Sequence, residues 1–86
     1  MHAAKLLAEA LELARQLQYQ VREEHLEGAG GGHCYFAGKK WLLLDVTQST
    51  EEQLADAADA LRSDPAGAQH AMSPALAQLL RPARAA

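Results

Sequence analysis

Between His2 and Gln18 the apolar residues Leu6, Leu7, Ala10, Leu13, Ala14 and Leu17 recur at steps of three and four, which places them on one face of a helix. Lys5, Glu9, Glu12, Arg15 and Gln16 fall opposite, so the spacing predicts a half-buried amphipathic helix, with Leu11 widening the apolar stripe. The period then drops to two. Tyr19, Val21, Glu23 and His25 alternate with Gln20, Arg22, Glu24 and Leu26, a strand pattern whose charges suit a sheet edge because they deter pairing with another chain. Gly28, Gly30, Gly31 and Gly32 around Ala29 exclude helix and predict a loop or a bulged start to the next strand. His33 to Ala37 and Lys40 to Val46 read as two strands around a turn at Gly38 and Lys39. The second of these is expected to be central, because Trp41, Leu42, Leu43 and Leu44 offer large apolar groups to both faces of a sheet.

A second helix follows. Ser49 with Glu52, and Thr50 with Gln53, have the capping-box spacing, in which a hydroxyl takes an orphan N–H and the later side chain reaches back. Leu54, Ala57, Ala58 and Leu61 form its inner face, Glu51, Asp56 and Asp59 its outer one, and Pro65 ends it. Asp64 to Met72 reads as a linker. Ser73 and Pro74 then start a short helix carrying Leu76, Leu79 and Leu80, which Pro82 stops, with the residues beyond expected to be disordered. The expected fold class is α+β: a helix, a three-stranded antiparallel β-meander, a helix and a short C-terminal helix. Residues 1–64 form the single domain, and residues 65–86 the linker and short helix or tail.

With 86 residues the chain suffices for one core. Such a domain buries only about 60–65% of the surface its unfolded chain exposes, and small domains of this kind often draw stability from association. Hydrophobic residues make up 49%, yet much of that is alanine, and the aromatic residues are Tyr19, Tyr35, Phe36 and Trp41 alone. A net charge of −3, with only Lys39–Lys40 and Arg81 with Arg84 as basic clusters, excludes the basic face of a nucleic-acid binder. The strictly apolar run from Trp41 to Leu44 is far too short to cross a bilayer. The single Cys34 cannot form an internal disulfide, and the N-terminus lacks the pattern of a secretory signal, so the expected setting is a reducing cytoplasm.

Candidate chemistry is sparse. Consecutive N–H groups of the glycine loop could cradle an anion, but a phosphate fingerprint needs a strand before the glycines and a helix after them, and here a strand follows. His25, His33, Cys34 and His70 lack the paired spacing of a zinc site, and adjacent strand residues such as His33 and Cys34 point to opposite faces. Cys34 is expected to be a small buried strand residue and not a nucleophile. The acidic pairs Glu23–Glu24, Glu51–Glu52 and Asp56 with Asp59 read as solvated charge. Asp45, inside an otherwise apolar strand, is expected to bond the loop from Thr47 to Ser49. No catalytic residue, metal or cofactor is assigned.

The stretch from Gly38 to Leu61 (GKKWLLLDVTQSTEEQLADAADAL) resembles part of a zincin-type scaffold of the ImmA/IrrE-like kind, in which a β-hairpin leads through a short loop into the helix bearing the H-E-x-x-H motif. This sequence has Leu54, Ala55, Asp56, Ala57, Ala58 and Asp59 on that helix, with neither imidazole nor glutamate. The resemblance therefore implies a bacterial protein with a degenerate, metal-free scaffold retained for binding.

Two helices on one face of the sheet leave the other face to be covered by the C-terminal tail, by another protein or by a second copy. The expected function is a non-enzymatic protein-interaction or accessory module, either homodimeric or bound to a protein partner, with Tyr35, Phe36, Trp41 and Leu43 making the sheet-face contact and Leu76, Leu79 and Leu80 the docked tail. The rival reading is a small metal- or cofactor-binding protein or enzyme using the glycine loop with His33 and Cys34.

Overall fold

A computed structural model describes residues 2–81, apart from the side chain of Ala68; the expectations placed on Pro82, Arg84 and the end of the tail lie outside the described residues. The order of elements is α1 (Ala3–Gln16), β1 (Tyr19–Glu24), β2 (Gly32–Phe36), β3 (Lys39–Asp45), α2 (Thr50–Ser63), a 3₁₀ turn (Pro65–Gln69) and α3 (Pro74–Leu80). The fold is α+β.

The apolar stripe of α1 is spent as its spacing predicts, with Ala10, Leu13, Ala14 and Leu17 buried. The helix ends by placing Gln18 in the left-handed region, φ 76°, where its N–H donates to the Arg15 carbonyl at 3.0 Å and turns the chain into β1. The charged β1 does end up at an edge, although it stops at Glu24 and leaves His25 outside the strand.

The sheet corrects the expected antiparallel meander. Its order is β1-β3-β2, with β1 parallel to β3 and β2 antiparallel to it. β1 and β2, consecutive in the chain, do not pair, because β3 lies between them. A meander would have put β2 in the centre and left Leu42 and Leu44 on an edge strand. Placing β3 in the middle buries both leucines completely and leaves Arg22, Glu23 and Glu24 at a margin where water can solvate them. The segment joining β1 to β2 must therefore cross the C-terminal end of β3, where Asp45 stands.

The β2–β3 turn also moves by one residue. It is formed by Ala37 and Gly38, with φ of 54° and 77°, a two-residue type I′ connection, and Lys39 already pairs with Phe36 inside the sheet. Gly38 suits its position, whereas Ala37 adopts the left-handed region at a cost of about 1–2 kcal/mol for a residue with a Cβ.

In α2 the Ser49–Glu52 box forms in full: the Glu52 N–H donates to Ser49 Oγ at 3.1 Å, and the Ser49 N–H donates to Glu52 Oε1 at 3.0 Å. Thr50 is the first helical residue, and Gln53 instead donates from Nε2 to the Gln48 carbonyl. α1 and α2 pack together over Leu42 and Leu44 largely through alanines, with Ala10, Ala14, Ala57 and Ala60 all fully buried; small side chains bring the two helices close.

The expected linker after Asp64 contains the 3₁₀ turn, and α3 is capped by Ser73, whose Oγ accepts from the Leu76 N–H at 3.1 Å. α3 lies against α1 and α2. Leu76 is 1% exposed, and Leu79 and Leu80 are partly buried on the same core, so α3 thickens the helical layer, on the side of the sheet that carries α1 and α2. Among the described residues no helix is long and apolar enough to cross a membrane.

Candidate functional site

Strand alternation and register decide what stands on the side of the sheet away from the helices. Trp41 and Leu43 project there from β3, flanked by Gln20 and Arg22 of β1 and by Cys34 and Gly32 of β2, with Phe36 next along the strand. Arg22, Glu24, Cys34, Phe36, Trp41 and Leu43 line a shallow depression of about 420 Å³. Trp41 is half-buried, and its indole Nε1–H donates a long bond of 3.4 Å to the Phe36 carbonyl, which ties the side chain to the neighbouring strand. Phe36 is 71% exposed. Arg22 and Glu24 pair at 3.2 Å on the β1 margin, so an apolar centre has a charged rim.

The residues expected to act together are thus divided. Phe36, Trp41 and Leu43 share the outer face, whereas Tyr35, 73% exposed, points to the opposite side of β2 by alternation. Leu76, Leu79 and Leu80 belong to the helical layer. Cys34 corrects the expectation of a buried strand residue: it is exposed, because β2 is an edge strand and its outer face has no cover among the described residues.

At the C-terminal end of β3 the glycine crossover closes around one carboxylate. Asp45 Oδ1 accepts from the Leu26 N–H at 3.1 Å, the Thr47 N–H at 3.0 Å and the Thr47 hydroxyl at 2.6 Å; Oδ2 accepts from the Gly28 and Gly30 N–H groups at 2.9 and 3.1 Å. The expected bond to Thr47 is present, but Leu26, Gly28 and Gly30, which also donate, come from the loop between β1 and β2, distant in the chain. Gly28 and Gly30 adopt φ of 82° and 89°, which turns their N–H groups inward. The Gly31 N–H donates to Asp56 Oδ2 at 3.1 Å, tying the same loop to α2. Burial by itself would raise the Asp45 pKa, but the hydroxyl and N–H of Thr47 and the N–H groups of Gly30 and Leu26 outweigh it and hold the carboxyl well below the usual carboxylate range. The anion that this loop cradles is the protein's own. A glycine in the first loop together with a lone aspartate in an apolar strand was the signal available for this pairing.

At the other end of the sheet Tyr19 and Lys40, neighbours in register, both donate to Asp64 Oδ2, at 3.0 and 2.9 Å, and Lys40 Nζ lies 4.6 Å from the Tyr19 ring centroid. Asp64 Oδ1 accepts from the Ala66 N–H at 2.9 Å, so one side chain joins the sheet to the turn after α2. The Lys40 ammonium holds the Asp64 carboxyl below its ordinary value against the opposing effect of burial, helped by the Ala66 N–H and the Tyr19 hydroxyl. Burial first, and then the bond to and charge of Asp64, push the Tyr19 phenol up to about 12. An unfolded tyrosine ionises near pH 10, so between about pH 10 and 12 the native state holds a proton that the unfolded chain has lost. The contribution of Tyr19 to stability is therefore whole below pH 10 and is lost as pH rises through that window. Urea midpoints taken from pH 8 to 12 should decline for the wild type and decline less steeply for Tyr19→Phe; parallel profiles would show that Tyr19 is not the group responsible.

His25, His33 and His70 are exposed, and His33 and Cys34 face opposite sides of β2. Among the described residues no three His, Cys, Asp or Glu side chains converge as a metal site would require. No family model, curated protein or solved structure is detectably similar to this chain. Nothing in those comparisons bears on the zincin-like resemblance. The glycine loop has its N–H groups committed to Asp45, Asp56 and the Leu26 carbonyl, which leaves the rival ligand-binding reading without donors at its centre.

Proposed function

We propose that the chain is a non-enzymatic protein-interaction or accessory module that binds a protein, a second copy or a different partner, through the outer face of its sheet. The observation that carries this reading is the placement of Trp41 and Leu43 at the middle of a face that no described element covers, beside an exposed Phe36. Tryptophan and its aromatic neighbours dominate interface energetics where they can be fully desolvated, and an apolar centre with a charged rim is the usual anatomy of such a surface. The exposed thiol of Cys34 suits a reducing compartment. On this reading the zincin-like order of hairpin, loop and helix describes a scaffold kept for binding.

Trp41→Ala tests it. The ring contributes to the outer face and not to the closed core, so the far-UV spectrum should be unchanged, while affinity for the occupant of the face should fall roughly 30-fold or more, the effect of truncating an interface anchor. Sedimentation over a range of concentrations detects a second copy, and capture from native lysate, compared side by side for wild type and variant, detects another protein. A wild-type chain that stays monomeric to millimolar concentration and retains nothing that the variant loses would sink the reading.

A further inference from the structure

The sheet has a second surface that no described element covers, the free edge of β2, whose chemistry differs from that of the outer face. In a two-residue hairpin the residues flanking the turn exchange both backbone bonds, so Phe36 pairs with Lys39 in this way, and alternation gives the same role to Cys34 with Trp41 and Gly32 with Leu43. The N–H and C=O groups of His33 and Tyr35 consequently point away from β3. No strand lies on that side among the described residues, and neither residue makes a backbone bond outside the sheet.

The two edges are guarded unequally. β1 carries Arg22, Glu23 and Glu24, the charges with which an edge resists pairing. β2 reads Gly32-His33-Cys34-Tyr35-Phe36, with no acidic, lysine, arginine or proline residue to block a further strand.

We propose that two copies of this chain join β2 to β2, antiparallel across a two-fold axis at Cys34, to form one continuous six-stranded sheet. The register follows from the strand itself. An axis at Cys34 is the one that pairs all five residues of β2: His33 and the partner's Tyr35 exchange the outward backbone bonds, and Cys34 meets the partner's Cys34 as a non-hydrogen-bonded pair, where Cα atoms approach to about 4.5 Å. Side chains complement one another in that register. Phe36, 71% exposed, lies opposite the partner's Gly32, a position where even an added Cβ would meet nothing within 4 Å. Tyr35, 73% exposed, lies opposite the partner's His33 on the other face. Cysteine is small enough to sit on the axis. The dimer goes beyond the face-binding reading because it uses a different surface, and it sets the two Phe36–Trp41–Leu43 patches side by side.

The test uses the full chain. Sedimentation velocity should show a concentration-dependent dimer, and diamide should convert Cys34 to a covalent dimer over the same range, two thiols giving one disulfide while two electrons and two protons pass to the diamide. The same oxidation in urea provides the rate for random encounter. In a Cys34→Ser background, His33→Cys and Tyr35→Cys should each cross-link poorly alone and about tenfold faster when mixed, since those positions face each other only across the axis. Tyr35→Lys, on an exposed side chain that the core does not use, should weaken the dimer about tenfold, because each copy contributes the same defect. A monomer at all concentrations overturns the proposal. So does a dimer that ignores Tyr35→Lys, leaves Cys34 at its urea rate and dissolves in Trp41→Ala; that result would leave the outer-face reading standing.

Discussion

Asp45→Asn is expected to lower the melting temperature by about 10 °C or more, about 2 kcal/mol and a substantial share of the stability of a domain this small. The substitution keeps the volume of the side chain and changes one oxygen to an NH₂ group. Wherever that group is placed it confronts donors: Gly28 and Gly30 at one position, or Leu26 and Thr47 at the other. Buried N–H groups left facing another donor cost far more than the hydrogen bonds they had made. The crossover from β1 to β2 loses the one group that organises it, so hydrogen exchange at Leu26, Gly28 and Gly30 should accelerate before the rest of the sheet. Acid adds a second readout. Asp45 and Asp64 both have folded pKa values held below those of the unfolded chain, so as pH falls below about 4 the unfolded state binds protons first and stability drops. Asp45→Asn should make this acid limb shallower without abolishing it, because Asp64 remains. An unchanged melting temperature, or an acid limb as steep as that of the wild type, would mean that the carboxylate does not hold the loop.

The second large effect concerns adjacent glycines with opposite expectations. A Cβ on Gly31 would collide with the Leu43 carbonyl oxygen and press on the backbone of Leu44, in the central strand, where no side chain can swing away. Gly31→Ala should therefore cost about 3 kcal/mol or more, at the upper end for overpacking, because either the loop or β3 must shift and the Gly31 N–H bond to Asp56 would be strained with it. A Cβ on Gly32 meets nothing within 4 Å, so Gly32→Ala should change stability by less than about 0.5 kcal/mol, and the loss of glycine's backbone freedom favours the alanine. Urea denaturation of the two variants decides the matter. Equal losses would show that chain flexibility, and not the close passage over β3, is what these glycines provide.

Much of the local structure was legible in the residues. The stripe from Leu6 to Leu17, the Ser49–Glu52 box, the Ser73–Pro74 start of α3 and the central, two-sided character of β3 all rest on interactions within a few residues, where spacing and side-chain chemistry suffice. The outer-face patch was legible for the same reason, since alternation alone puts Trp41 and Leu43 together. The turn was misplaced by one residue because Gly38 draws attention as the obvious left-handed position, whereas the type I′ geometry requires two such residues and takes Ala37 as the other. Tyr35 and Phe36 are adjacent in the chain but face apart on the strand, so exposure and aromatic character alone do not place them on one surface.

What the sequence determined by itself was therefore the set of elements and the faces they present, because helix period, strand period and capping are settled by neighbours along the chain. Only the tertiary structure decided that β1 runs parallel to β3 and so stands apart from β2, that the glycine loop spans the end of β3, and that α3 settles on the helices, so that no described element covers the outer face of the sheet. Those outcomes depend on which apolar surfaces compete for the same burial and on whether one carboxylate can satisfy a loop's worth of N–H groups, and such terms appear only when distant segments share one space.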